Sequence, residues 1–184
     1  MTTRDTTATP TAEAALKTAL ARQGNVFAVL DAARAPGGVF EAGHSGLLCK
    51  SLYEGPRGER LSHVAPYLVE FRLESAFGRW WLDNWGDSVG ILFVTPTSFA
   101  DVRKHCRTLM IVRGHDEKKY YFRFYDPRVL RSFLPACSAA EAQRFFGPIT
   151  AVHCEGPNGE ELLTYSAGID GLTEKRCPLV ASEA

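Results

Sequence analysis

The chain has 184 residues, 45% of them hydrophobic, which is enough for one compact domain with its own core. Twenty-one Lys and Arg balance 21 Asp and Glu, and a neutral total argues against a dedicated nucleic-acid or membrane-surface binder, though not against a local patch. No apolar run approaches the roughly 20 residues that a helical bilayer crossing needs.

Residues 1–10 are polar and Thr-rich, without the apolar core of a secretory signal, and read as a disordered tail of a cytoplasmic protein. Residues 11–168 read as a single domain. Its first helix spans Thr11 to Arg22, with Ala15, Leu16, Ala19 and Leu20 at helical spacing. Val26 to Leu30 is a buried strand. Asp31 to Phe40 predicts a short helical turn and then a Pro36-Gly37-Gly38 loop. Strands follow at Leu47 to Tyr53 and Tyr67 to Phe71, separated by a charged loop from Glu54 to Arg60.

Ser75 to Trp85 is a helix with Phe77, Trp81 and Trp85 on one face. Val89 to Val94 is hydrophobic enough for a central strand. The next helix opens at Ser98 with Asp101 as a capping box and lines Phe99, Val102 and Cys106 along its apolar side. Leu109 to Arg113 and Lys119 to Tyr125 predict an antiparallel hairpin. Asp126-Pro127 starts a helix, because Asp accepts from free N–H groups and Pro has none to satisfy. Ser138 and Glu141 form a second capping box, whose helix stops at Phe146-Gly147-Pro148. Ile149 to Cys154 and Glu161 to Tyr165 form a final hairpin, and residues 169–184 read as a loosely structured tail. The alternation predicts an α/β domain, with α+β as the other arrangement it admits: a mixed β-sheet with packed helices and a C-terminal β-hairpin.

The most unusual stretch runs from Tyr120 to Leu130. In a strand, Tyr120, Phe122 and Phe124 face one side, and Tyr121, Arg123 and Tyr125 the other. Arg123 then lies among aromatics, where its planar guanidinium stacks and still reaches a carboxylate, with Asp126 one candidate. These residues read first as a core strand, a capped helix and a structural ion pair, a reading compatible with a recognition edge presented at the strand-to-helix corner.

The segment FRFYDPRVLRSFLP, followed by AEAQRFFGPI, resembles the central motif of a domain-of-unknown-function family found in type VI secretion clusters. VFAVLDAAR, SLYEG, APYLVEF, WGDSVGILFVTPTSF and VRKHCRTLMIV fit the same layout over about residues 25–152. The resemblance implies an adaptor chaperone, not an enzyme, that binds a toxic effector and helps mount it on the VgrG spike protein in the donor cytoplasm. It implies no cofactor or metal, and neither nucleic acid nor membrane as partner. Arg123, Tyr125, Asp126, Pro127 and Arg128 carry over as the family signature and as candidate partner-binding residues. Many relatives have a longer helical region after the final hairpin.

Two other chemistries are open to the residues. His105-Cys106 and His153-Cys154 are neighbouring pairs of the types that bind zinc or form a thiol nucleophile and base, but they lack recognised ligand spacing. The five cysteines (Cys49, Cys106, Cys137, Cys154 and Cys177) are widely spaced and read as reduced, mostly buried thiols. Residues 101–131 hold nine Lys or Arg against four Asp or Glu, a net of +5, and the rest of the chain has 12 against 17, a net of −5. Basic residues beside aromatics suit single-strand nucleic acid. They also suit an acidic protein surface, for which Arg103, Lys104 and Arg107 are the candidate contacts.

Overall fold

The computed structural model describes residues 9–21, 24–114, 116–168 and 171–180. Nine strands and seven α-helices occur among them: α1 (Ala12–Leu20), β1 (Asn25–Asp31), α2 (Pro36–His44), β2 (Cys49–Ser51), α3 (Gly55–Arg60), β3 (Pro66–Glu70), α4 (Ala76–Asp83), β4 (Gly90–Thr95), α5 (Phe99–Leu109), β5 (Ile111–Arg113), β6 (Lys119–Tyr121), α6 (Pro127–Phe133), α7 (Ala139–Phe146), β7 (Ala151–Glu155), β8 (Glu161–Gly168) and β9 (Gly171–Pro178). Seven strands form one sheet in the order β2-β3-β1-β4-β7-β8-β9, and β5 with β6 forms a separate ribbon. The domain is of the expected α/β class in its α+β arrangement. The sheet, expected to be mixed, is antiparallel in every pairing.

Strand alternation gives the sheet two apolar faces. On one, the cross-strand row Phe27–Phe93–Val152–Tyr165 packs beneath α5, α6 and α7 through Val102, Cys106, Leu130 and Phe145. On the other, Ala28, Leu30, Val69 and Leu92 pack under α1, α2 and α4 through Leu16, Ala42, Phe77 and Trp81. The middle strand, β4, is buried along its whole length, which explains its unbroken apolar sequence.

Helix starts follow the capping chemistry. Thr11, Ser75, Ser98, Asp126 and Ser138 each accept a backbone N–H of the first turn with their side chains. Only Ser138 with Glu141 closes the full reciprocal box; at the other expected box, Ser98 donates its hydroxyl to Asp101 instead.

Four expectations need correction. Pro36-Gly37-Gly38 is not a loop but the first turn of α2, where Pro needs no donor. Gly38 is there for packing: a Cβ on it would stand 2.6 Å from the Trp80 ring of α4. The charged loop after Tyr53 is the short helix α3. The strand expected to run to Tyr125 ends at Tyr121, and Phe124 and Tyr125 are both buried, so their alternation is lost. The expected loose tail contains β9, paired with β8 from Glu161–Pro178 to Gly168–Gly171. As an edge strand it needs backbone partners more than apolar side chains, so its sequence gives little signal. The expected N-terminal tail lies outside the described residues, except for residues 9 and 10.

Candidate functional site

In the antiparallel sheet, the C-terminal ends of β1 and β7 and the start of β4 meet at one end. Three carboxylates are buried there or beside it: Asp31 at 1% exposure, Asp126 at 2% and Glu155 at 4%. Burying carboxylates is costly unless they are fully bonded; the segment from Arg123 to Arg128 supplies donors to Asp31 and Asp126, and the turn into β4 supplies those of Glu155.

Arg123 donates from Nη2 to Asp31 Oδ2 at 2.5 Å, and the N–H of Ala33 reaches Asp31 Oδ1 at 3.1 Å. Asp126 caps α6 through the N–H of Arg128 at 3.0 Å. The Arg128 side chain then closes a two-pronged pair on the same carboxylate, Nε to Oδ1 at 2.9 Å and Nη2 to Oδ2 at 2.7 Å. Glu155 accepts from the N–H groups of Gly86 and Ser88 and from the Ser88 hydroxyl. This holds the turn into β4, where Ser88 has a left-handed backbone with φ of 57°. Arg131 ties α6 to the same strand end by donating to the Glu155 carbonyl at 2.7 Å.

Asp126 is one candidate partner for Arg123 from sequence, and the two stand within ion-pair range. Arg123 is 3.7 Å from that carboxylate, and its closer partner is Asp31, 92 positions earlier in the chain. The expected aromatic setting holds, with the Arg123 guanidinium carbon 5.9 Å from the Tyr125 ring centroid. Burial works against the Asp126 charge, but the bonds and charge of Arg128, with Arg123 behind, keep its carboxyl below the usual range. The Tyr125 hydroxyl is pushed up to about 12, first by burial and then by the negative charge of Asp31.

The signature residues Arg123, Tyr125, Asp126, Pro127 and Arg128 therefore share one corner. Its acids are sealed in, while the side chains of Arg123 and Arg128 remain 46% and 50% exposed. Asp31, Glu155 and Arg131 belong to the same corner and were not singled out from sequence. The signal for the acids is a carboxylate ending an apolar strand, VFAVLD and AVHCE.

The other candidates lie elsewhere. Arg103 donates from Nε and Nη2 to the Ser51 carbonyl and from Nη1 to Glu54, and Arg107 pairs with the second oxygen of Glu54. These two arginines hold α5 to the chain after β2, while Lys104 is exposed. The Cys–His pairs are divided between environments. Cys106 and Cys154 lie in the core beneath α5 to α7, and burial raises both thiols, Cys154 to about 12. That is the reverse of what a nucleophile needs. His105 Nε2 is 2.7 Å from the Phe145 carbonyl oxygen. His153 points to the opposite sheet face from Cys154, with Nδ1 2.9 Å from Thr164 Oγ1. No cluster of three His, Cys, Asp or Glu suited to a metal ion occurs among the described residues, and none of their helices is long and apolar enough to cross a membrane.

Fold and corner together define an α+β domain whose signature motif builds an arginine-covered acidic corner. The chain belongs to the family described as a domain of unknown function, DUF4123, whose model matches residues 26–144. That family is associated in general with type VI secretion effector adaptors. No curated protein and no solved structure matches the chain.

Proposed function

We propose that this protein is an adaptor chaperone of a type VI secretion system, which binds a toxic effector in the donor cytoplasm and helps load it onto the VgrG spike. The observation that carries this reading is membership of DUF4123 over residues 26–144, a stretch that includes the signature residues Arg123 to Arg128. The physical character of the surface supports it. Binding a protein calls for arginine anchors and exposed aromatic or aliphatic side chains. The half-exposed arginines of the corner supply the first, and the β5–β6 hairpin, with Ile111, Val112, Tyr120 and Tyr121 exposed, supplies the second. The protein acts by binding and catalyses no reaction.

Affinity purification of the tagged protein from its native cells, followed by mass spectrometry, tests the proposal. Co-purification of a large toxin and a spike protein is the expected result. An eluate with neither overturns it, and bound nucleic acid in their place would move the function to the basic segment 101–131.

A further inference from the structure

The β5–β6 hairpin stands outside the main sheet as an apolar ridge, and a groove of about 740 Å³ runs between it, the end of α5 and the faces of α6 and α7. The floor is aromatic and aliphatic: Leu109, Phe122, Phe133 and Phe145, with Phe122 and Phe133 in ring contact at 4.4 Å. Val112 forms part of the hairpin wall, and Arg113 and Arg144 stand at the rim. Such an open apolar groove is a surface for another chain to cover.

The rim says which chemistry covers it. Several arginines elsewhere are already engaged: Arg103 and Arg107 hold Glu54, Arg123 holds Asp31, Arg128 holds Asp126 and Arg176 holds Glu174, while Arg34 and Arg79 donate to the carbonyls of Asp87 and Glu74. Arg113, its cross-strand neighbour Lys119 and Arg144 pair with no carboxylate among the described residues. Among the described residues that line the groove, the one acid is Glu141, which accepts from the N–H and hydroxyl of Ser138 at the start of α7. Uncommitted cations around an apolar floor complement a segment with apolar side chains on one face and carboxylates beside them.

We propose that this groove receives an acidic, amphipathic segment of the partner protein, with its apolar side chains on Phe122 and Phe133 and its carboxylates against Arg113 and Arg144. The inference rests on the adaptor reading for the source of that segment, the effector, and on the groove alone for its chemistry.

Three fluorescein-labelled synthetic peptides test the chemistry on the full chain. They share one pattern of Leu and Phe and carry Glu, Gln or Lys between those residues. Fluorescence anisotropy should show the Glu peptide binding at least about tenfold more tightly than the other two, with affinity falling as salt rises. Arg113→Glu with Arg144→Glu should invert the order in favour of the Lys peptide. Both side chains are exposed, so the melting temperature should not move, and Val112→Asp should weaken all three peptides. Equal binding of the three, or a Glu peptide indifferent to the double charge reversal, overturns the proposal.

Co-purification with the charge-reversed variant separates this inference from the adaptor reading. Loss of the effector with retained folding supports both. Retention of the effector at the wild-type level overturns the groove as its seat and leaves the adaptor reading standing. If the wild type captures no effector, the adaptor reading fails, and the peptide titration still decides the groove.

Discussion

The molecule joins arginine to carboxylate in two regions with opposite burial. At the signature corner, Asp31 and Asp126 are almost wholly buried and their arginines face outward; at the α5 contact, Glu54 is 43% exposed and its two arginines lie over it. Bond lengths do not separate them, since the shortest contacts are 2.5 Å at the corner and 2.7 Å at Glu54. What differs is the state left when a partner is removed. A buried acid without its guanidinium is a stranded charge, whereas an exposed acid takes up water.

The largest effect is therefore expected from Arg123→Ala. It strands Asp31 and should cost about 3 kcal/mol or more in chemical denaturation. Asp31→Asn should cost less, about 1–2 kcal/mol, because the released arginine is free to hydrate. Adding it to Arg123→Ala should restore part of the loss. A double variant as unstable as the two singles summed would show that the pair is not coupled.

His153 extends the comparison to a buried base. Burial lowers it from 6.5 to about 4, so at pH 5 the unfolded chain binds a proton that the folded chain does not. Stability should be complete above about pH 6.5 and fall by roughly 3 kcal/mol as the pH drops to 4. Urea titrations across that range should show the slope, and His153→Gln should flatten it. Asp126, held below the usual carboxylate range, acts in a separate window. Its contribution is present above about pH 4 and is lost on further acidification.

Asp126→Ala should cost about 1–2 kcal/mol, as expected for a lost helix cap with its bonded guanidinium turned out to solvent. Glu54→Ala comes last, at about 1 kcal/mol or less, with a further reduction of the difference in high salt. If Glu54→Ala matched Arg123→Ala in thermal melts, burial would not be what separates the two regions.

Features that depend on neighbours along the chain were legible in the sequence. The caps at Ser98, Asp126 and Ser138, the buried run of β4 and the glycine stop at Gly147 all follow from local chemistry. Gly147 has φ of 49°, and a Cβ there would meet His105 at 2.5 Å. Features that depend on distant partners were not legible there. Arg123 had Asp126 as its apparent mate because Asp31 comes close only when β1 and the hairpin are folded together. The helices α2 and α3 were hidden by glycines and by Pro36 and Pro56, residues that usually mark turns. Of the candidate site, the Arg123–Arg128 corner was legible as a motif, but the two further buried acids that organise it were not.

One consequence of the strand order concerns where this chain tolerates being cut. The family match ends at residue 144, before β7 begins. A chain trimmed there would lose β7 to β9 and leave β4, buried at every position, as a naked edge. Such an edge recruits strands from other copies. The charged outer strand β9, with Glu174, Lys175 and Arg176, supplies the border that discourages self-association. Trimming to the matched segment should therefore shift the expressed protein toward aggregates relative to the full chain, as size-exclusion chromatography of the two would show.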